Sequence, residues 1–223
     1  MKSKIFILFL LFSAIMFAQE TKNIYLMKNG KVTHKVPVAD VDSIIFYEPE
    51  LTELDFVLIN GVKWATRNVD APGTFAANPE DVGMFYQWNR TKGWSAIGTV
   101  TGWDSSMPTG TTWETTNNVC PTGYRVPTDA EIQSLITAGS LWTTQNGVNG
   151  RVFGSGDNII FLPAAGFRNL SNGVLDIAGI FGYYWSSTPR GTTDAYYFSF
   201  YSGLADGSYH YRNYGFSVRC VVD

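Results

Sequence analysis

The chain has 223 residues and a formal net charge of −3, with its charges scattered rather than gathered into a basic patch, which argues against nucleic acid as a partner. With 15% aromatic residues, 22 glycines and few helix formers it reads as a turn-rich, mainly β protein. Two histidines, His34 and His210, fall far apart, so no histidine cluster exists for zinc or for base catalysis.

Lys2 and Lys4 precede an apolar run from Ile5 to Ile15 that ends in Met16-Phe17-Ala18-Gln19. This pattern predicts a secretory signal peptide over residues 1–18, because the run is short for a spanning helix of about 20 residues. No cysteine follows it, so no lipid anchor and no membrane insertion are expected once the signal is cut. The mature chain then carries about −5, since two lysines leave with the signal. Export places it in the periplasm, at the cell surface or outside the cell.

Six of the eight lysines lie before residue 36, whereas all eight arginines lie from Arg67 onward, which suggests two regions of different origin. The first, residues 19–50, holds two apolar runs around Lys28-Asn29-Gly30-Lys31 and predicts a small β-ribbon, because Asn-Gly between alternating hydrophobics is a strong hairpin signal. Glu48-Pro49-Glu50 breaks the pattern as a linker. The second region, 54–223, begins with two short strands about Asn60-Gly61 and places Trp64 in the core. Gly73 to Asn118 lacks periodicity and predicts long loops. Thr128-Asp129-Ala130-Glu131 is a capping box that opens a helix with Ile132, Leu135 and Ile136 on its apolar face. Ile159 to Leu162 predicts a buried strand, and Tyr183 to Val222 several strands with Phe198, Phe200, Val218 and Cys220 in the core.

Cys120 and Cys220 are the only cysteines, and in an exported chain they are expected to pair. The other reactive arrangements are missing. Asp40 and Asp42 lack the glycine and glutamate of a calcium loop. Ser186 and Ser187 lack the glycines of a nucleophile elbow. Glu80-Asp81 reads as a solvated turn rather than half of a glycosidase pair. Arg125 and Arg219 read as structural groups beside the bridge.

Six blocks in sequence order carry a family resemblance: Gly61-Val-Lys-Trp64-Ala-Thr-Arg-Asn68, Gly83-Met-Phe-Tyr86-Gln-Trp88, Cys120-Pro-Thr-Gly-Tyr-Arg-Val-Pro-Thr128, Phe161-Leu-Pro-Ala-Ala-Gly166, Gly182-Tyr-Tyr-Trp185-Ser-Ser-Thr188 and Ser217-Val-Arg-Cys-Val221. Together they resemble the Fibrobacter succinogenes major paralogous domain, found in exported proteins of the Bacteroidetes and Fibrobacteres. The ribbon, ending Val41-Asp42-Ser43-Ile-Ile-Phe46, is similar to a short module that often precedes such domains. The resemblance implies an α+β, C-type-lectin-like fold with a small twisted antiparallel sheet, one or two helices and long loops on one face. That group includes formylglycine-generating enzymes and the ligand-binding tips of diversity-generating systems. Its sugar-binding members hold calcium at Glu-Pro-Asn and Trp-Asn-Asp motifs, and neither stands in the matching region. No cofactor is therefore expected; calcium stays open as a ligand-site ion without a motif behind it.

Two aromatic signals remain as candidate ligand sites. Trp94, Trp103 and Trp113 fall in the loop region, where they either stack on a sugar or pin the loops to the core. Eight of the twelve tyrosines lie between Tyr183 and Tyr214, among serines, His210 and Asn213, a mixture that binding loops favour. The expected ligand-binding face is Tyr197, Ser199, Tyr201, Tyr209, Tyr211 and Asn213. The chain thus reads as a non-catalytic binding or adhesion module for a glycan or protein. The alternatives are a surface or fimbria-like subunit that assembles through its ribbon and, further off, a formylglycine-generating-type enzyme or glycan hydrolase.

Overall fold

The structure, a computed structural model, describes residues 23–28, 31–37 and 55–223. The expected signal peptide, the Asn29-Gly30 turn, Asp40, Asp42 and the linker at Pro49 lie outside the described residues. The backbone divides into two compact units, Met1–Leu51 and Thr52–Asp223.

In the first unit, β1 (Asn23–Lys28) and β2 (Lys31–Pro37) pair antiparallel with Lys28 opposite Lys31. Two residues therefore join the strands, the length that an Asn-Gly turn serves.

The second unit opens with β3 (Phe56–Ile59) and β4 (Val62–Asn68), joined at Asn60-Gly61. Both turn residues have positive φ, 48° and 82°, so asparagine and glycine are the residues this turn accepts with least strain. The chain's last strand, β16 (Arg219–Val222), lies between β4 and β7 (Tyr124–Arg125) in a sheet of order β3-β4-β16-β7. The Cys120–Cys220 disulfide joins that closing strand to the segment before β7 across 100 residues. Around it pack Ala65, Val69, Val119, Val126 and Val218, all buried.

One α-helix is present among the described residues: α1 (Asp129–Thr137), with Thr128 as its cap. The Thr128 side chain accepts from the Glu131 amide, while the Glu131 carboxylate accepts from the Thr128 amide. Ile132 and Leu135 are buried against Phe153, Phe198 and Phe200. After the helix comes the meander β8 (Ser140–Gln145), β9 (Val148–Ser155) and β10 (Asn158–Pro163), in order β10-β9-β8. Of these strands the sequence marks only β10, although Asn146-Gly147 turns β8 into β9 with positive φ at both residues.

The expected long loops occupy most of residues 70–118, interrupted by β5 (Phe85–Tyr86) paired with β6 (Gly93–Trp94) and one 3-10 turn at Thr115–Asn117. A second small ribbon, β11 (Phe167–Arg168) with β12 (Leu175–Asp176), precedes the C-terminal sheet. That sheet runs β13 (Gly182–Arg190), β14 (Asp194–Phe200) and β15 (Ala205–Tyr211) as an antiparallel meander. The described fold is thus mostly β, made of small antiparallel sheets without a barrel, with one short helix.

Three buried arginines stand in for regular structure where the backbone is irregular. Arg168 donates to the carbonyls of Ser95, Ile97, Gly98 and Gly173. Arg212 donates to Gly110, Gly191 and Asp194, and lies over the Trp88 ring at 4.1 Å. Arg219 donates to Ala65, Phe161 and the Asn68 side chain. Loop carbonyls that no ladder satisfies are thereby paired, which buried backbone requires.

Candidate functional site

The register of the C-terminal sheet sorts its tyrosines. In β14 and β15, Tyr197 lies opposite Ser208, Ser199 opposite Asp206 and Ala195 opposite His210, whereas Tyr196 lies opposite Tyr209 and Asp194 opposite Tyr211. Directly opposed residues share a face, and successive residues alternate. The expected set is therefore divided: Tyr197 and Ser199 look one way, Tyr209 and Tyr211 the other. Phe198 and Phe200 belong to the second face and pack against α1, so that face is covered along much of its length. At its open end the Arg190 guanidinium lies 3.0 Å from the Tyr209 ring centroid.

The first face is different. Trp88, Trp185, Ala195 and Phe216 form its floor, and Tyr183, Tyr197, Tyr214 and Phe167 pack half-buried against that floor. Phe216 lies 5.2 Å from Tyr183, 5.1 Å from Tyr197 and 5.6 Å from Tyr214 between ring centroids. The array continues through Phe181 to the exposed Tyr201 at 5.0 Å, and through Tyr214 to His210 at 4.3 Å. Among the described residues, the hydroxyls of Tyr183, Tyr197 and Tyr214 have no hydrogen-bond partner. Tyr184, by contrast, is fully buried and donates to the Pro163 carbonyl.

Ring geometry decides what this face presents. Tyr183 and Tyr197 stand 5.6 Å apart with planes 32° from parallel, and Phe181 and Tyr183 stand 6.0 Å apart at 28°. The rings pack on one another and on Phe216, while Tyr183, Tyr197 and Tyr214 stay half-buried.

Burial, with Tyr197, Asp176 and Tyr214 nearby, pushes the Tyr183 phenol up to about 12. Burial, then Tyr197 and Tyr211, also raises Tyr214. Burial lowers His210 against a smaller opposing pull from Asp194. The His210 Nδ1 accepts from the Tyr211 amide at 2.9 Å, which puts the ring proton on Nε2.

The remaining expected residues belong to the scaffold. Trp94 is buried and packs against Trp103 at 4.7 Å between ring centroids, tilted by 45°. Trp103 donates to the Leu170 carbonyl and Trp113 to Asn117, so both pin loops rather than present a free indole. Asn213 is buried and donates to the Ser105 carbonyl, which removes it from the outward set. Ser186 accepts from the Thr188 amide, and the Ser187 amide donates to Pro127. Arg125 makes a two-pronged bond to Glu131, at 2.8 and 2.6 Å, and Arg219 is buried on backbone carbonyls, so both serve the scaffold. Glu80 is not the solvated turn residue expected. It is buried, and hydrogen bonds from Asn146 and Gln145 hold its carboxyl below the usual range.

The reading from sequence omitted Phe167, Phe181, Tyr183 and Tyr214 from the face. Tyr183 and Tyr214 bound the tyrosine-dense window and could have been included; the two phenylalanines carry no local signal. Among the described residues, no three His, Cys, Asp or Glu side chains gather as a metal site. The cavity lined by Trp113, Arg125, Ser187 and Asp223 holds about 190 Å³, and a more open one beside Asp70, Asp81, Met84 and Ile97 about 410 Å³.

No curated protein and no solved structure matches the chain. The family model of the Fibrobacter succinogenes major domain matches residues 50–222, which takes in every element from β3 to β16. The chain belongs to the Fibrobacter succinogenes major domain family.

Proposed function

We propose that this is an exported, non-catalytic binding module, with a C-type-lectin-like domain whose aromatic C-terminal face receives a protein ligand. The observation that carries the reading is the continuous array from Tyr201 through Tyr183 and Tyr197 to Tyr214, with three phenol hydroxyls unspent on the protein's own groups. Tyrosine offers large contact area at low entropic cost, and its hydroxyl both donates and accepts. Half-buried rings that pack on one another, with hydroxyls that both donate and accept, suit the varied polar groups of a protein surface better than they suit a sugar stacked on a free ring. The N-terminal apolar run and the disulfide both support export.

The test screens the purified protein on a protein and peptide array and on a glycan array, each with calcium and with chelator, beside the Tyr183→Phe/Tyr197→Phe/Tyr214→Phe variant. Protein binding that weakens in the variant is expected. Binding confined to glycans would make the module a lectin instead, and silence on both arrays would defeat the reading.

A second reading has its own observation. The β1–β2 ribbon is a two-stranded sheet within a compact unit of its own, a small β element of the kind that can add to a neighbour's sheet. Assembly through the ribbon would appear as concentration-dependent oligomers in sedimentation.

A further inference from the structure

The half-buried tyrosines of the aromatic face carry no cation, unlike several rings elsewhere: Lys63 lies over Phe56, Arg67 over Phe75, Lys92 over Trp94 and Arg190 over Tyr209, while Arg212 lies over Trp88, a fully buried member of the face's own cluster. Among the described residues, no lysine or arginine lies over Tyr183, Tyr197, Tyr201 or Tyr214. Arg151 reaches this end of the sheet, but it is buried and its Nη1 is taken by the Tyr201 carbonyl. Arg168 and Arg212, on neighbouring strands and loops, are buried and spend their donors on carbonyls.

Carboxylates stand on two sides of the face instead. Asp176 is exposed and lies directly opposite Phe167 in the β11–β12 ribbon. Asp206 is exposed and lies opposite Ser199, on the same side of the sheet as Tyr197. Each uses Oδ1 to accept from the amide of the next residue, Ile177 or Gly207, and among the described residues neither Oδ2 has a partner. The charged group that acts on Tyr183 is likewise a carboxylate, Asp176. Both carboxylates keep an acceptor oxygen without a partner, the three phenol hydroxyls can accept as well as donate, and among the described residues no ion pair neutralises Asp176 or Asp206.

We infer that the ligand of this face is cationic: a protein segment presenting arginine or lysine side chains, received by Asp176 and Asp206 and by the phenol oxygens between them. This rests on the face being a protein-binding surface. Arginine fits best, because its guanidinium has five donors, no acceptor, and a flat shape that packs on aromatic rings. Complementary charge would also steer the encounter and fade with salt.

The test measures binding of three peptides of equal length, arginine-rich, neutral and glutamate-rich, at low and high salt. The variants are Asp176→Asn/Asp206→Asn, which leaves the rings intact, and the triple Tyr→Phe variant, with folding checked by circular dichroism. The expected result is binding of the arginine peptide alone, weakened by high salt and about tenfold weaker in the double Asn variant. Equal binding of neutral and arginine peptides, or a double Asn variant that binds as well as the parent, overturns the cationic ligand while the binding face stands. If no peptide binds and the protein array is also silent, both fall. Binding to an amino-sugar polymer but to none of the peptides would overturn the protein source and keep the charge.

Discussion

Two regions of this domain crowd polar groups against large aromatic rings, and they do so to opposite ends. Around Arg168, Arg212 and Arg219 every guanidinium is buried and its donors meet named acceptors. On the C-terminal face the phenol hydroxyls of Tyr183, Tyr197 and Tyr214 meet no protein group among the described residues. The first arrangement closes on itself and holds loops; the second stays open to something else. Satisfaction of polar groups, more than residue type, separates scaffold from candidate site in this fold.

The comparison breaks most visibly if the scaffold is loosened. Replacing Cys120 and Cys220 by serine should cost about 4–5 kcal/mol on the chain-entropy view, because the bridge closes a 100-residue separation. Urea denaturation of parent and double mutant measures it, and unchanged midpoints would show that β16 holds without the bridge. Next comes Arg219→Met, which strands the Ala65 and Phe161 carbonyls and the Asn68 side chain in the core. About 3 kcal/mol or more should be lost. Burial already pushes this guanidinium down to about 10, so the charge is held there by its acceptors against desolvation. Arg219→Lys should fail to rescue, since an ammonium cannot span three acceptors at guanidinium spacing.

The same contrast explains what could be read from the sequence. Local rules found local structure: Asn60-Gly61 made its hairpin and Thr128 with Glu131 made its capping box. The β8–β9 hairpin carried the same Asn-Gly signal at 146–147 and went unread, because Leu141 to Gln145 lacks a clear apolar alternation. Nothing local marks Arg168 or Arg212 as buried, since their acceptors are loop carbonyls up to 102 residues away. The binding face was half legible. Tyrosine density located it, but β14 is packed on both sides, so period-two patterning could not tell Tyr196 from Tyr197. Register, which depends on tertiary pairing, made that distinction.

If the open region is a site rather than scaffold, its groups should cost little to alter. Tyr183→Phe/Tyr197→Phe/Tyr214→Phe keeps the rings against Phe216 and removes hydroxyls that make no bond within the described protein. Its stability should stay within about 0.5 kcal/mol of the parent, whereas the arginine variant loses several times more. A large loss in urea denaturation would mean that those hydroxyls hold the fold after all.

The smallest effect concerns His210, which belongs to both kinds of region. Its ring packs on Tyr214 at 4.3 Å, yet its Nδ1 is engaged by the Tyr211 amide. With the ring proton already on Nε2, a second proton must go to Nδ1 and break that bond. Tyr197, Tyr211 and Tyr214 surround the ring, and Asp194 is the one charged group acting on it. Because burial sets the folded histidine below its ordinary 6.5, the unfolded chain takes up its proton first as pH falls. The contribution is intact above about pH 6.5, shrinks as pH drops toward the lower folded value, and is fully lost below it. Urea midpoints at about pH 7.5 and about pH 5 should therefore differ more in the parent than in His210→Gln, which cannot titrate there. Equal differences would show that His210 makes no such contribution; the Glu131 bond to Arg125 and its cap on Thr128 are no substitute cause in this window, because the lowered Glu131 pKa keeps them until lower pH.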